Sequence, residues 1–271
     1  MLSIVDISRE NLEDVFKICS WNRAFAPMDD PVIKEARMIK KQWLLEMLDQ
    51  HGPCTKIAYL DGKPVAQILF YPEETIPFYS DPRKDVVHLQ FIFNSHPETQ
   101  KKGVGDVLMK ALVDECHVGL ECLGMNTARF LVTKPFPHEG DLPLDEFYRK
   151  YGFKQGNQEM YLEVNGEYEP REILENRHLS EDRGRAVNFY NPPCEWGFFY
   201  AVRVKELLLE TYPDLSVEIF NLWEAPQEYL KRSYRQQIAA RTIINTQEIN
   251  PFLFWMDKEA FLREADEALR T

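Results

Sequence analysis

The sequence lacks two features that would place the protein in a membrane or on nucleic acid. No segment approaches the roughly 20 consecutive apolar residues that a membrane-spanning helix needs. Basic residues are the minority, with 32 Lys and Arg against 44 Asp and Glu and a net charge of −12. Nucleic-acid binding needs a basic face that neutralises phosphates, and a membrane span needs a longer apolar segment. We therefore expect neither nucleic acid nor a membrane as a partner. The acidic balance is compatible with a cationic partner such as an amine.

Cysteines are few and scattered. The five of them are odd in number, and no pair of Cys-x-x-Cys units is present, so neither a disulfide framework nor a zinc site is indicated. They are Cys19, Cys54, Cys116, Cys122 and Cys194. The first residues, Met-Leu-Ser-Ile-Val-Asp-Ile-Ser, lack the basic and apolar regions of a signal peptide. We therefore expect reduced thiols, no metal and a cytoplasmic location.

The residues that are present describe a globular protein of one large or two smaller domains. Hydrophobic residues make up 44% of the chain and charged residues 28%, which excludes a disordered or fibrous protein. In the first part of the chain the apolar spacing predicts helices at 12–19, 32–48, 104–116 and 145–151, a hairpin at 55–71, and strands at 86–93, 129–133 and 159–164. This order predicts a compact α/β domain over residues 1–165.

A charged stretch then interrupts the pattern. It contains Pro170 and Gly184, which disfavour regular secondary structure, and we interpret residues 166–185 as a linker. Residues 186–271 follow, with predicted strands at 187–190 and 215–220, helices ending near 212, 234 and 269, and a hairpin formed by 241–249 and 251–255. The sequence therefore predicts a second, smaller αβ domain.

The segment His96–Gly105 carries the first chemical signal. It joins a predicted strand to an amphipathic helix, and a helix begins with backbone N–H groups that have no partner within it. Such groups, at the positive end of the helix dipole, suit a pyrophosphate. Gly103 and Gly105 let a ligand approach the main chain, and the Gln-Lys-Lys run before Gly103 adds donors and charge. An ordinary charged turn is the alternative interpretation.

A second signal lies in Asp145-Glu-Phe-Tyr-Arg-Lys-Tyr-Gly-Phe153, where an aromatic pair on a short predicted helix precedes the last strand. By itself this segment also fits core aromatics followed by a helix C-cap glycine. Together, His-Pro-Glu-x-Gln-x-x-Gly-x-Gly and Phe147-Tyr148-x-x-x-Gly152-Phe153 resemble the GNAT superfamily of acyl-CoA-dependent N-acetyltransferases. The resemblance covers residues 1–165 and implies a GNAT fold with a mixed central sheet, with acetyl-CoA as co-substrate and no metal.

The resemblance also implies which residues hold acetyl-CoA. Backbone amides of the turn would bind the pyrophosphate, and the end of the preceding strand would pair with the pantetheine arm like an added strand. N–H groups at that strand end would polarise the thioester carbonyl. The implied cofactor-binding residues are Phe93, Asn94, Ser95, Gln100, Lys101, Lys102, Gly103, Val104 and Gly105.

Tyr148 falls on the position of the family's frequent general acid, which protonates the leaving thiolate of CoA. A core aromatic residue is the alternative interpretation of Tyr148. Two residues depart from the family's pattern, because Asp141 stands where the family often has Asn, and Lys101 stands where a small residue is common.

No residue is identified as the general base that takes the proton of the amine. The candidates, each also readable as a surface or structural residue, are His88, Gln90, Glu98, Asp29 and Asp30. The acceptor side would be built from the connection Trp21–Pro31, whose aromatic and acidic groups suit an ammonium-bearing substrate or a capped helix junction. We expect a small-molecule or peptide amine as the acceptor and leave a homodimer open.

In the second domain, Cys194 lies where a predicted strand meets a helix, in Asn-Pro-Pro-Cys-Glu-Trp-Gly197. The element order and this cysteine resemble a thioredoxin-like unit and, behind a GNAT domain, a YoaP-type module. A thiol at a helix N terminus should have a lowered pKa, so Cys194 is interpreted either as reactive or as a buried structural cysteine. Gly197 replaces the second cysteine of Cys-x-x-Cys, so no two-thiol cycle is available locally.

The sequence therefore predicts an acetyl-CoA-dependent N-acetyltransferase in which a primary amine attacks the bound thioester directly, in a ternary complex. One alternative is a non-catalytic acetyl-CoA-binding sensor. Another is a thiol-dependent binding or redox module centred on Cys194.

Overall fold

The computed structural model describes residues 1–19, 29–94, 96–135, 143–172, 175–232 and 238–271, and it divides into two compact units. The first unit comprises Met1–Phe25, Leu44–Ile76 and Asp81–Ile173, and the second comprises Ala26–Trp43, Pro77–Ser80 and Leu174–Thr271. These bounds differ from the predicted ones, because 26–43 and 77–80 belong to the second unit and the first unit continues past residue 165.

A seven-stranded mixed sheet forms the centre of the first unit. Its strands are β1 Leu2–Asp6, β2 Thr55–Leu60, β3 Lys63–Pro72, β4 Val86–Phe93, β5 Phe130–Thr133, β6 Lys154–Gln155 and β7 Met160–Glu163. They follow the order β1-β2-β3-β4-β5-β7-β6, in which β4 and β5 are parallel and the other neighbours antiparallel. The predicted α/β class with a mixed central sheet is confirmed.

Helices lie between these strands in the sequence. They are α1 Asp14–Cys19, α2 Pro31–His51, α3 Val104–Val118 and α4 Leu144–Arg149, and α2 is counted with the second unit as far as Trp43. In α3 the residues Val104, Leu108 and Leu112 are buried at a spacing of four, which is the apolar stripe that the sequence predicts. No helix in the described part of the chain is long and apolar enough to span a membrane.

A buried ion network ties the segment after β7 to the first unit. Glu73 is fully buried and accepts hydrogen bonds from the backbone N–H and Nε of Arg83, at 2.7 and 2.9 Å. Arg171 also pairs with Glu73, and Nη1 of Arg83 donates to the Glu169 carbonyl oxygen at 2.6 Å. Residues 166–172, which the sequence analysis assigned to the linker, are therefore held in place by the first unit.

The second unit is built on a four-stranded sheet of order β11-β10-β8-β9. Its elements are β8 Arg185–Tyr190, α5 Glu195–Thr211, β9 Ser216–Asn221, α6 Pro226–Leu230, β10 Ala240–Ile244, β11 Gln247–Ile249, α7 Leu253–Met256 and α8 Lys258–Arg270. β8 and β9 are parallel across the α5 connection, and β10 is antiparallel to β8. Val204, Leu208 and Phe261 belong to a core cluster that α5 and α8 share.

Two assignments from the sequence are corrected. The prediction contained no strand at β1, which is an edge strand of five residues, none of them fully buried. The predicted second hairpin strand at 251–255 is wrong, because β11 is Gln247–Ile249 and α7 occupies most of that segment. Asn245 and Thr246, with φ of 45° and 77°, form a two-residue turn directly after β10.

Candidate functional site

The parallel strands β4 and β5 stop pairing before β4 ends. Their last pair is Leu89 opposite Thr133, where β5 ends. On its other side, β4 remains paired with β3 as far as Phe93, with Gln90 as the extra residue of a bulge. Among the described residues, the β5-facing edge of β4 from Gln90 to Phe93 therefore has no strand partner. Such an edge can accept an extended chain through main-chain hydrogen bonds.

The turn from His96 to Gly103 follows this edge and leads into α3. Lys101 and Gly103 both have a left-handed backbone, with φ of 58° and 73°. Gly103 is the N-cap residue of α3, and no side chain caps this helix. The first N–H groups of α3 therefore lie at the positive end of the helix dipole without a capping side chain. This is an arrangement that suits an anion.

Hydrogen bonds within the turn hold its shape. The Thr99 hydroxyl donates to Oδ1 of Asn94 at 2.7 Å, and Nδ2 of Asn94 donates to the Thr99 carbonyl oxygen at 3.3 Å. Nε2 of Gln100 donates to the Asn94 carbonyl oxygen, also at 3.3 Å. The side chains of Asn94 and Gln100, both predicted to contact the cofactor, therefore brace the turn in this structure.

Close packing joins the start of α3 to α4. A Cβ atom added to Gly105 would lie 3.4 Å from Cζ of Phe147, so the missing side chain lets the Phe147 ring approach the helix. Tyr151, just after α4, donates a hydrogen bond to Asp106 in the first turn of α3. These two contacts fix α4 beside the N-terminal turn of α3.

Tyr148 of α4 lies at the same corner and is 1% exposed. Its ring contacts those of Phe147 and Phe153, and its hydroxyl lies beside the Ile92 backbone of β4 and the Thr133 side chain of β5. Burial raises the pKa of Tyr148 to about 12, although the polar contacts with Thr133 and Ile92 act in the opposite direction. The phenol therefore keeps its proton at neutral pH.

The structure brings most of the predicted site residues together. Phe93 ends the unpaired strand edge and Asn94 follows it directly. The predicted residues from 100 to 105 form the turn and the start of α3, and Tyr148 lies beside them. Ser95, Asp141 and residues 21–28 of the acceptor-side connection lie outside the described residues. Sequence analysis missed Ile92 and Thr133, whose signal is their place at the carboxyl ends of two neighbouring parallel strands.

The sequence model of the acetyltransferase (GNAT) family matches residues 15–153, which is more than half of the chain. The chain belongs to the GNAT acetyltransferase family. The match includes both the turn before α3 and α4 with the glycine that follows it, so the predicted GNAT resemblance is confirmed.

Solved GNAT structures are similar to this GNAT protein at low sequence identity. A GNAT family acetyltransferase from Brucella melitensis in complex with acetyl-CoA is 16% identical, with a TM-score of 0.42, over 64% of this chain and 94% of that chain. PaiA N-acetyltransferase from Thermoplasma acidophilum in complex with coenzyme A is 17% identical, with a TM-score of 0.39, over 59% and 96%. The ribosomal-protein-S18-alanine N-acetyltransferase from Escherichia coli is 16% identical, with a TM-score of 0.41, over 64% and 100%. No curated protein matches the chain.

Burial argues against His88 as the general base of this GNAT protein. The imidazole is 4% exposed, and burial lowers the pKa of His88 to about 4, with Glu73 acting to raise it and Arg171 and Arg83 to lower it. A base whose conjugate acid has so low a pKa is a poor acceptor for the proton of an ammonium group. His88 is therefore better read as a buried neutral residue of the sheet.

The other candidates for the general base are Gln90, Asp30, Asp29 and Glu98. Oε1 of Gln90 accepts a hydrogen bond from the Tyr71 hydroxyl at 2.7 Å. Asp30, in the second unit, caps α2 by accepting a hydrogen bond from a backbone N–H of its first turn. Asp29 and Glu98 are exposed. None of these arrangements by itself marks a general base.

The expected lowering of the Cys194 pKa is wrong. Cys194 is the N-cap residue of α5, but burial outweighs the effects of Lys40 and of the Gly197 and Trp196 N–H groups, and the pKa is raised. Gly197 is fixed by close packing, because a Cβ atom there would overlap the Ala239 carbonyl oxygen. A second cysteine at position 197 would therefore require the backbone to move.

No group of three or more His, Cys, Asp or Glu side chains in the described ranges is arranged to hold a metal ion. The expectation that this GNAT protein needs no metal stays a prediction.

Proposed function

We propose that this GNAT protein transfers an acetyl group from acetyl-CoA to a primary amine by direct attack within a ternary complex. One observation carries the proposal: the unpaired edge of β4, the uncapped N terminus of α3 and the Tyr148 hydroxyl occupy a single corner of the first unit. Acetyl-CoA would supply the activated thioester at this corner. The protein would supply binding, orientation and a hydrogen-bond donor.

The main chain of this corner fits an acyl-CoA. The edge from Gln90 to Phe93 offers hydrogen-bonding groups for the two amides of a pantetheine arm, as an added strand would use them. The N–H groups from Gly103 to Gly105 would receive the diphosphate at the positive helix end. Space is available there, because a Cβ atom on Gly103 would have only Asp106 Oδ2 near it among the described atoms, at 3.6 Å.

Tyr148 would stabilise the departing sulfur of CoA by donating a hydrogen bond. Because the pKa of Tyr148 is about 12, complete proton transfer to a thiolate whose thiol has a pKa near 8.5 is uphill by about 5 kcal/mol. A shared proton costs less, and in a buried site a fixed donor stabilises developing negative charge effectively. We therefore assign Tyr148 the role of a hydrogen-bond donor to the leaving group.

The acceptor is proposed to be a small-molecule or peptide amine. The net charge of −12 supports a substrate that is cationic in solution. Such an amine must lose a proton before it attacks, and we assign no residue to that step. A homodimer, the absence of nucleic-acid and membrane partners, and a cytoplasmic location remain predictions.

We also propose that the second unit is a thioredoxin-like module. Its support is topological, because two parallel strands joined by α5 are extended by an antiparallel hairpin next to β8. A YoaP-type identity remains a prediction. The thiol-dependent alternative is disfavoured, because the raised pKa of Cys194 leaves little thiolate at neutral pH.

The proposed function is tested by an acetyl-transfer assay of the full chain with acetyl-CoA and a panel of amines. The panel contains alkylamines, arylamines, aminoglycosides, and peptides with a free N terminus or a free lysine. CoA release is measured by chromatography, which requires no thiol reagent. We expect turnover of at least one amine, with intersecting initial-rate lines. Parallel lines, with acetylated protein formed in the absence of amine, would contradict direct attack.

The same assay separates the alternatives. Acetyl-CoA that binds in calorimetry while no amine is turned over would favour a sensor. Rapid alkylation of Cys194 by iodoacetamide at pH 7 would favour the thiol-dependent module, whereas its raised pKa predicts slow alkylation.

A further inference from the structure

The second unit contains a groove of about 500 Å³. Its lining residues include neither Cys194 nor any residue of the corner proposed to bind acetyl-CoA. Its apolar walls are Phe198, Val202 and Leu209 of α5, together with Tyr190 of β8 and Ile219 of β9. The Tyr190 and Phe198 rings are 7% and 8% exposed and meet edge to face, with centroids 5.0 Å apart. This volume is in the range of small-molecule sites, and the walls offer an apolar body a place to bind.

Carboxylates rim this groove. Glu35 of α2, Glu206 of α5 and Glu224 after β9 line it, and Lys205 is the basic residue among the lining residues. Glu206 is partly neutralised, because it pairs with Arg203 at 2.5 Å. Glu35, by contrast, makes no ion pair among the described residues. The rim therefore retains net negative charge and carries a carboxylate without a cationic partner.

The negative charge of the rim affects the pKa of a residue that lines the groove. Burial raises the pKa of Tyr190 to about 12, and the negative charges of Glu224 and Glu35 contribute to the same shift. Both carboxylates therefore lie close enough to act on a group in the apolar wall. An ammonium ion placed near Tyr190 would be attracted by both of these carboxylates.

We propose that this groove binds a small organic monoammonium ion, with its charged head between Glu35 and Glu224 and its apolar body against Phe198, Val202 and Ile219. The charge of the rim disfavours anions, and the apolar walls disfavour a strongly hydrated inorganic cation. The volume favours a small molecule over a folded partner. This proposal does not rest on acetyl transfer, because every residue in it belongs to the second unit.

The test is a methyl NMR titration of the full chain with phenethylammonium chloride. The methyl signals of Val202, Leu209 and Ile219 should shift and saturate with a Kd of about 1 mM or lower, while those of Ile243, outside the groove lining, should not. The alcohol 2-phenylethanol and the anion 3-phenylpropionate present the same ring without the positive charge, so both should bind more weakly.

Matched variants separate charge from packing. Glu35→Gln and Glu224→Gln replace exposed carboxylates by amides of the same shape, and each should weaken binding by about threefold to fivefold. Glu210→Gln, an exposed position of α5 that does not line the groove, should leave the Kd unchanged. The proposal is overturned if the methyl shifts do not saturate, if the alcohol binds as tightly as the ammonium ion, or if neither groove variant changes the Kd. None of these results would affect the proposed acetyl transfer.

Discussion

Replacing Gly103 by alanine should weaken acetyl-CoA binding without removing any polar group. Gly103 has φ of 73°, and a Cβ atom added to it would meet no described atom closer than 3.6 Å. The substitution therefore costs backbone strain and creates no steric overlap. An L-residue with a side chain pays roughly 1–2 kcal/mol in this left-handed conformation.

We expect the strained turn of the variant to relax in the free protein, so that it must return to its present shape to hold the diphosphate and the strain appears in the binding constant. A cost of that size corresponds to a loss of affinity of about fivefold to thirtyfold. Gly62 provides a matched control, because it has φ of 77° and no atom within 4 Å of an added Cβ, but it lies in the turn between β2 and β3. Gly62→Ala should carry the same backbone strain without changing the affinity.

Isothermal titration of acetyl-CoA into the wild-type protein and the two variants measures the effect, with thermal unfolding recorded alongside. Both variants should lose some stability, while only Gly103→Ala should lose affinity. Unchanged affinity in Gly103→Ala, or an equal loss in Gly62→Ala, would refute the assignment of this turn to the diphosphate.

Two further predictions follow from the buried groups of the first unit. Tyr148→Phe should lower kcat by about a hundredfold while changing the Kd for acetyl-CoA little. The wild-type rate should show no alkaline loss from Tyr148 until the pH approaches 12. Equal turnover by the variant would contradict the role proposed for Tyr148. His88 binds a proton with a pKa of about 4 when folded and near 6.5 when unfolded, so it lowers stability by about 3 kcal/mol as the pH falls from 6.5 to 4. Urea unfolding of the wild type and His88→Gln at several pH values checks this, and identical pH dependence in both proteins would contradict it.

Most of the local elements and the motif could be predicted from the order of the amino acids. The amphipathic spacing of α3, the glycines at its start and the aromatic pair of α4 are short-range patterns, so they could be read without knowing which parts of the chain meet. The family resemblance depended on two segments in a particular order, and the match to the acetyltransferase (GNAT) family confirms that resemblance. A weak local signal was missed at β1, which is a short edge strand without a fully buried residue.

Which groups meet, and how their surroundings change their chemistry, became known only from the folded protein. The separation of β4 from β5 depends on pairing between distant segments, and it leaves a free edge beside Tyr148. Burial, which no local pattern of polar residues reveals, makes His88 a weak base and reverses the expected pKa shift of Cys194. These properties depend on desolvation and on neighbours far away in the chain, and therefore only the folded arrangement could supply them.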